Sequence, residues 1–223
     1  MPVKQLIVGW NRGGLGYVHQ LLTKAGYDAG LTFGPDLTLE SFEKKLDTAH
    51  QIEVSPYVVP FLDHAALKDT RVFFILRDPM RVLNSLYYHG FFHNERPSSV
   101  QNISFAHLPG FANVYRGKPS QAACVYLKRW LELAHTRREG IVNFRVEEGP
   151  AALLKGLTGS NAPPPFVLPD VNSSGCRQTL LPSKLTANSR HLITQLVVKL
   201  GYREWSWMPR GGHAHYVNAD WHC

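Results

Sequence analysis

Gln5-Leu6-Ile7-Val8-Gly9-Trp10-Asn11-Arg12-Gly13-Gly14-Leu15-Gly16-Tyr17 joins a short apolar run to a glycine-rich turn and then to the start of an amphipathic stretch. The run begins at Val3 and has the length of one core strand. Tyr17, Val18, Leu21, Leu22 and Ala25 then recur at helical spacing, and Gly26 supplies a stop. Strand, turn and helix in that order are half of a βαβ unit. Free backbone N–H groups in such a turn, together with the helix dipole, face an anion.

Working outward, Arg71-Val72-Phe73-Phe74-Ile75-Leu76 is a continuous apolar run suited to a central parallel strand, with Arg77-Asp78-Pro79 at its end. Proline fits a first helical turn, so a helix is predicted from Pro79 through Tyr88, placing Ser85 two turns in. Ligands of open α/β sheets bind at the carboxyl edge, where Arg77 falls. Gln51-Ile52-Glu53-Val54-Ser55 reads as another strand ending before Pro56, with Glu53 near its carboxyl end. A helix over 120–138, a strand over 141–146 and a late helix through Leu192, Ile193, Leu196, Val197 and Leu200 complete the pattern. The expected fold is α/β: a single domain over residues 1–208 with a central, mostly parallel sheet flanked by helices in three layers. Residues 91–119 lack periodicity and read as a long loop or lid with short helical pieces, 162–182 are rich in proline and polar turn formers, and 209–223 form a tail.

Lys+Arg of 24 against Asp+Glu of 17 gives a formal charge of +7 over 223 residues, which favours phosphorylated ligands. The basic residues are scattered and not interleaved with aromatics, so a nucleic-acid partner is not expected. Cys124, Cys176 and Cys223 are odd in number and far apart, which supports neither a disulfide framework nor a CxxC metal site. With no signal-like or membrane-spanning stretch, the expected location is cytoplasmic. His213, His215 and His222 in the tail lack the frame of a metal site.

Two familiar phosphate loops are not matched, which disfavours the chemistry each carries. Gly9 and Gly14 have the Walker A spacing, but Leu15-Gly16 stand where lysine and a hydroxyl are needed for magnesium nucleotide chemistry. Gly14-Leu15-Gly16-Tyr17-Val18-His19 lacks the third glycine of a dinucleotide fingerprint. Arg12 is then the one side-chain cation in the turn, and it can neutralise an anion without ever accepting a proton.

At this point the chain resembles the sulfotransferases that use 3′-phosphoadenosine 5′-phosphosulfate (PAPS). Asn11-Arg12-Gly13-Gly14-Leu15-Gly16-Tyr17 is similar to their P-[KR]-S-G-T-T-[WY] phosphosulfate loop, and Arg77 with Ser85 eight positions on is similar to their 3′-phosphate motif. Glu53-Val54-Ser55-Pro56 through Pro60 looks like the segment that carries a catalytic base, and Arg145-Val146-Glu147-Glu148 looks like a late R-V-E-D-type turn.

The resemblance implies a P-loop-like architecture shared with nucleoside kinases, PAPS as sulfuryl donor, adenosine 3′,5′-bisphosphate as product and no metal. It also implies in-line attack by a hydroxyl of a small molecule or glycan. By it, Arg12, Gly13, Gly14, Leu15, Gly16, Tyr17, Arg77 and Ser85 hold the cofactor, Arg12 stabilises the transferring group, and Glu53 takes the acceptor proton. His89 and His93 are the reserve bases. Gly13, Leu15 and Gly16 replace hydroxyl residues of the family's loop, leaving backbone N–H groups and Arg12 as donors. Two other readings stay open: a non-catalytic nucleotide- or glycan-binding protein on the same fold, and a small-molecule kinase. Phe91, Phe92, Phe105, Phe111 and Tyr115 either stack on an acceptor or cover the core.

Overall fold

The computed structural model describes residues 3–92, 99–111, 113, 119–161 and 185–202. Five strands, β1 (Gln5–Gly9), β2 (Ala29–Gly30), β3 (Ile52–Val54), β4 (Arg71–Leu76) and β5 (Val142–Arg145), form one sheet in the order β2-β3-β1-β4-β5. All four pairings are parallel. The sheet expected to be mostly parallel is therefore wholly parallel among the described strands.

Parallel strands bury both faces, and the two sets of side chains pack against different helices. Ile7, Ile52, Val54, Phe73 and Ile75 meet α1 (Leu15–Lys24) and α6 (Pro150–Thr158) through Val18, Leu21, Leu22, Leu153 and Leu157. On the other face Leu6, Val8, Val72, Phe74 and Leu76 meet α3 (Pro79–Tyr88), α5 (Pro119–Arg137) and α7 (Ala187–Lys199). Three layers result, as the sequence pattern requires. A short α2 (Leu39–Leu46) fills the β2–β3 connection; its Thr38–Ser41 capping box is a start signal legible in the sequence but not part of the expectation above.

After β1 the chain crosses to β2 and β3 on one side, then returns to β4 and β5 on the other. The carboxyl ends of β1 and β4 thus flank the point where the connections diverge, the place where open α/β sheets form their ligand crevice. The glycine turn and Arg77 both issue from it.

The stretch expected to be a lid is partly built into the core. It contains α4 (Ser99–His107), and Phe92 and Phe111 are buried with ring centroids 5.8 Å apart. Those two rings cover the core and offer no face to an acceptor; Phe91 is half-buried and Phe105 exposed. Tyr115, His93, the proline-rich stretch from 162 and the tail lie outside the described residues. No helix among the described residues is long and apolar enough to cross a membrane.

Candidate functional site

The loop between β1 and α1 is shaped by close approach. A methyl group on Gly9 would lie 2.9 Å from the Ile75 carbonyl oxygen of the neighbouring strand, and one on Gly13 would lie 2.8 Å from that of Trp10. Arg12 adopts a left-handed backbone at φ 66°, unusual for a residue with a β-carbon. The Gly13 N–H closes the turn onto the Trp10 carbonyl at 3.0 Å. Gly14, at φ 96°, is the N-cap of α1 and carries no capping side chain; the first turn of that helix also holds no acidic residue. An anion is what such a terminus accommodates.

From below, α5 fixes the loop. Trp10 Nε1–H donates to the Leu127 carbonyl at 2.8 Å, and the fully buried Tyr126 hydroxyl accepts the Asn11 backbone N–H at 3.2 Å. Burial pushes the Tyr126 pKa up, so the phenol stays neutral. Neither contact was legible in the sequence, where 115 residues separate Asn11 from Tyr126.

The two motifs then interlock. Arg12 Nε–H donates to Ser85 Oγ at 2.9 Å across 73 residues of chain. Arg77 directs an Nη1–H at the Arg12 carbonyl oxygen, 3.4 Å away. Arg12 Nη2 lies 2.8 Å from His89 Nε2. A guanidinium has only donors, so that imidazole nitrogen presents a lone pair and the ring is neutral with its proton on Nδ1. Partial removal from water, followed by the Arg12 charge, holds the His89 pKa below its ordinary 6.5, consistent with that tautomer. Ser85 is buried, Arg12 and Arg77 half-buried and His89 exposed, so the cluster runs from the core to the rim. Asp78, beside Arg77, caps α3 by accepting the Met80 N–H at 2.8 Å.

Glu53 stands apart from this cluster. It lies one residue from the carboxyl end of β3, as expected, but is fully buried, and the β1–β3 register puts it opposite Leu6. Its carboxylate accepts from Thr32 N–H at 3.0 Å, Thr32 Oγ1–H at 2.6 Å and His50 N–H at 2.8 Å. These bonds tie the exit of β2 to the start of β3. The residue that encloses the carboxylate from the β2 side, Thr32, follows directly on the two-residue β2 and its neighbour Leu31.

The chain is similar to the crystal structure of a sulfotransferase from Alicyclobacillus acidocaldarius over 93% of this chain and 98% of that one, with 16% sequence identity and a TM-score of 0.48. No protein-family model matches the chain. No curated protein matches it either.

Proposed function

We propose that this chain binds a nucleotide phosphorylated at both its 3′ and 5′ positions at the β1–β4 corner, and that it transfers the sulfuryl group of PAPS to a hydroxyl. The observation that carries the reading is the 2.9 Å Arg12–Ser85 hydrogen bond. It joins the turn that resembles a phosphosulfate loop to the helix that resembles a 3′-phosphate motif. Anion half-sites in direct contact suit one ligand with two anionic ends.

The residues present fit such a ligand. Arg77 and Ser85 hold the 3′-phosphate, while Arg12 and the first turn of α1 at Leu15, Gly16 and Tyr17 hold the 5′ end. Gly13 and Gly14 supply the clearance and the left-handed turn. PAPS, when bound, supplies an activated sulfuryl group that an acceptor oxygen attacks as the bond to the phosphate breaks. Arg12 stabilises charge on the sulfuryl oxygens, a task suited to a permanently charged guanidinium already held at the loop by Ser85.

For the acceptor proton the geometry favours His89 over Glu53. His89 is neutral, exposed and already in contact with Arg12; when the guanidinium turns to the anion, Nε2 keeps its lone pair beside it. Glu53, enclosed and accepting three hydrogen bonds, serves as a brace between β2 and β3. The absence of loop hydroxyls at Gly13, Leu15 and Gly16 gives weight to a second reading, a binding protein without transfer activity.

Radiolabelled PAPS incubated with the protein and a panel of phenol, sterol and glycan hydroxyls separates the readings. Label on an acceptor supports transfer; selective bisphosphate binding with no transfer supports the binding protein. Turnover that needs ATP and magnesium in place of PAPS contradicts both.

A further inference from the structure

The turn after β5 touches both halves of the anion corner and the end of α7. Val146 packs on the phosphate loop, its Cγ2 only 2.8 Å from where a β-carbon on Gly14 would sit. The next residue, Glu147, accepts the Asp78 backbone N–H through Oε1 at 2.8 Å and the Tyr202 hydroxyl through Oε2 at 3.1 Å. Arg145 in turn lies 4.8 Å over the Tyr202 ring and donates from Nη2 to the Leu200 carbonyl. Three consecutive residues thus bind the loop that carries Arg12, the turn that carries Arg77 and the chain just after α7.

Toward an anionic ligand a carboxylate in this position is unfavourable. It is exposed, one residue from a half-site for a phosphate, and its charge repels the ligand. Its two oxygens are instead both used as hydrogen-bond acceptors. Burial, then the neighbouring Glu147 charge, raises the Tyr202 pKa, so the phenol remains a donor to that carboxylate at any ordinary pH. The Asp78 side chain is occupied in capping α3, so this turn is pinned through its backbone by Glu147 and through its side chain by the helix.

We infer that Glu147 is a positioning residue that holds the Arg77–Asp78 turn at the spacing a two-phosphate ligand requires, with Tyr202 holding Glu147 in place. The inference rests on the reading of the corner as a two-phosphate site. It gives Glu147 no contact with the ligand and no part in proton transfer.

Glu147→Ala and Glu147→Gln remove the same charge; the first also removes the side chain and its hydrogen bonds, while the second keeps the length, its Oε1 accepting the Asp78 N–H and its amide donating to the Tyr202 oxygen. Calorimetry is to be run with adenosine 3′,5′-bisphosphate and with adenosine 5′-monophosphate. Glu147→Ala is expected to weaken the bisphosphate about tenfold and the monophosphate less than about twofold, with Glu147→Gln close to wild type for both. Tyr202→Phe, which deletes one bond and keeps the ring under Arg145, is expected to weaken the bisphosphate about threefold. Charge alone predicts the opposite sign, tighter binding in both Glu147 variants. Equal behaviour of Ala and Gln, or equal weakening of the two nucleotides, overturns the inference.

If the wild-type protein binds neither nucleotide, the two-phosphate reading fails and amide exchange at Asp78 decides the remainder. Faster exchange in Glu147→Ala than in Glu147→Gln supports the clamp; equal rates overturn it.

Discussion

The middle of the sheet and its β2 side treat charge in opposite ways. At the β1–β4 corner Arg12 is half-buried, and its contacts with Ser85 Oγ and a neutral His89 are made to uncharged groups that an anion can replace. At the β2–β3 edge Glu53 is fully enclosed, and its partners are Thr32 and the His50 backbone N–H. The first arrangement gains when a charged ligand arrives. The second is complete without one, and each of its bonds is lost if the carboxylate moves. A titratable side chain in a core strand is therefore poorly judged by type alone; what separates a site from a brace is whether its partners are exchangeable.

The sharpest way to break this contrast is to exchange the roles of His89 and Glu53. His89→Gln is expected to lower kcat at least about 100-fold with little change in folding stability, the usual worth of a general base. Its pH profile gives a second check: wild-type activity rises as pH passes a value below 6.5, where His89 loses its proton, and an NMR titration of His89 moves upward in Arg12→Gln. Glu53→Ala is expected to act on stability, costing about 2–4 kcal/mol in a urea titration because three donors lose their acceptor. A Glu53→Gln protein that is stable yet inactive would restore Glu53 as the base.

A smaller effect is expected from Arg77→Ala, which removes a cation from the corner without exposing core. Bisphosphate affinity should fall about 10- to 100-fold while the thermal midpoint stays near wild type. A loss of stability in place of affinity would make Arg77 a structural strap on the Arg12 carbonyl.

The smallest effect belongs to the amino edge, where His50 Nδ1 meets Asp28 Oδ1 at 2.6 Å. The hydrogen bond to Asp28 is the main cause raising the His50 pKa, so its stabilisation is present below the ordinary 6.5 and is lost as pH rises through the folded value. Both side chains are about half-exposed, at 46% and 56%, which keeps the effect small. Urea midpoints of wild type and Asp28→Asn should differ slightly near pH 5.5 and converge near pH 9; a difference that grows with pH would contradict this assignment.

Much of this architecture was legible in the chain itself. The apolar run Arg71–Leu76, Pro79 at a helix start and the periodicity from Tyr17 to Leu22 each depend on local chemistry, and β4, α3 and α1 fall where they predict. Arg77 and Ser85 were also legible, because one βα unit fixes their separation. The place of Glu53 near a strand end was legible too, but its full enclosure was not, because that depends on Thr32 and His50, brought to it around the two-residue β2, which carries no periodic signal. Tyr126 under Asn11 and Glu147 beside Asp78 were out of reach for the same reason. Their roles come from packing between elements distant in sequence, where a tyrosine or glutamate looks like any other.

The central claim is that the glycine turn and the Arg77–Ser85 pair form one site. Titration calorimetry with adenosine 3′,5′-bisphosphate, adenosine 3′-monophosphate and adenosine 5′-monophosphate tests it most directly. The account predicts one bisphosphate per chain, bound at least about tenfold more tightly than either monophosphate. A bisphosphate that binds no better than one of its halves would contradict it.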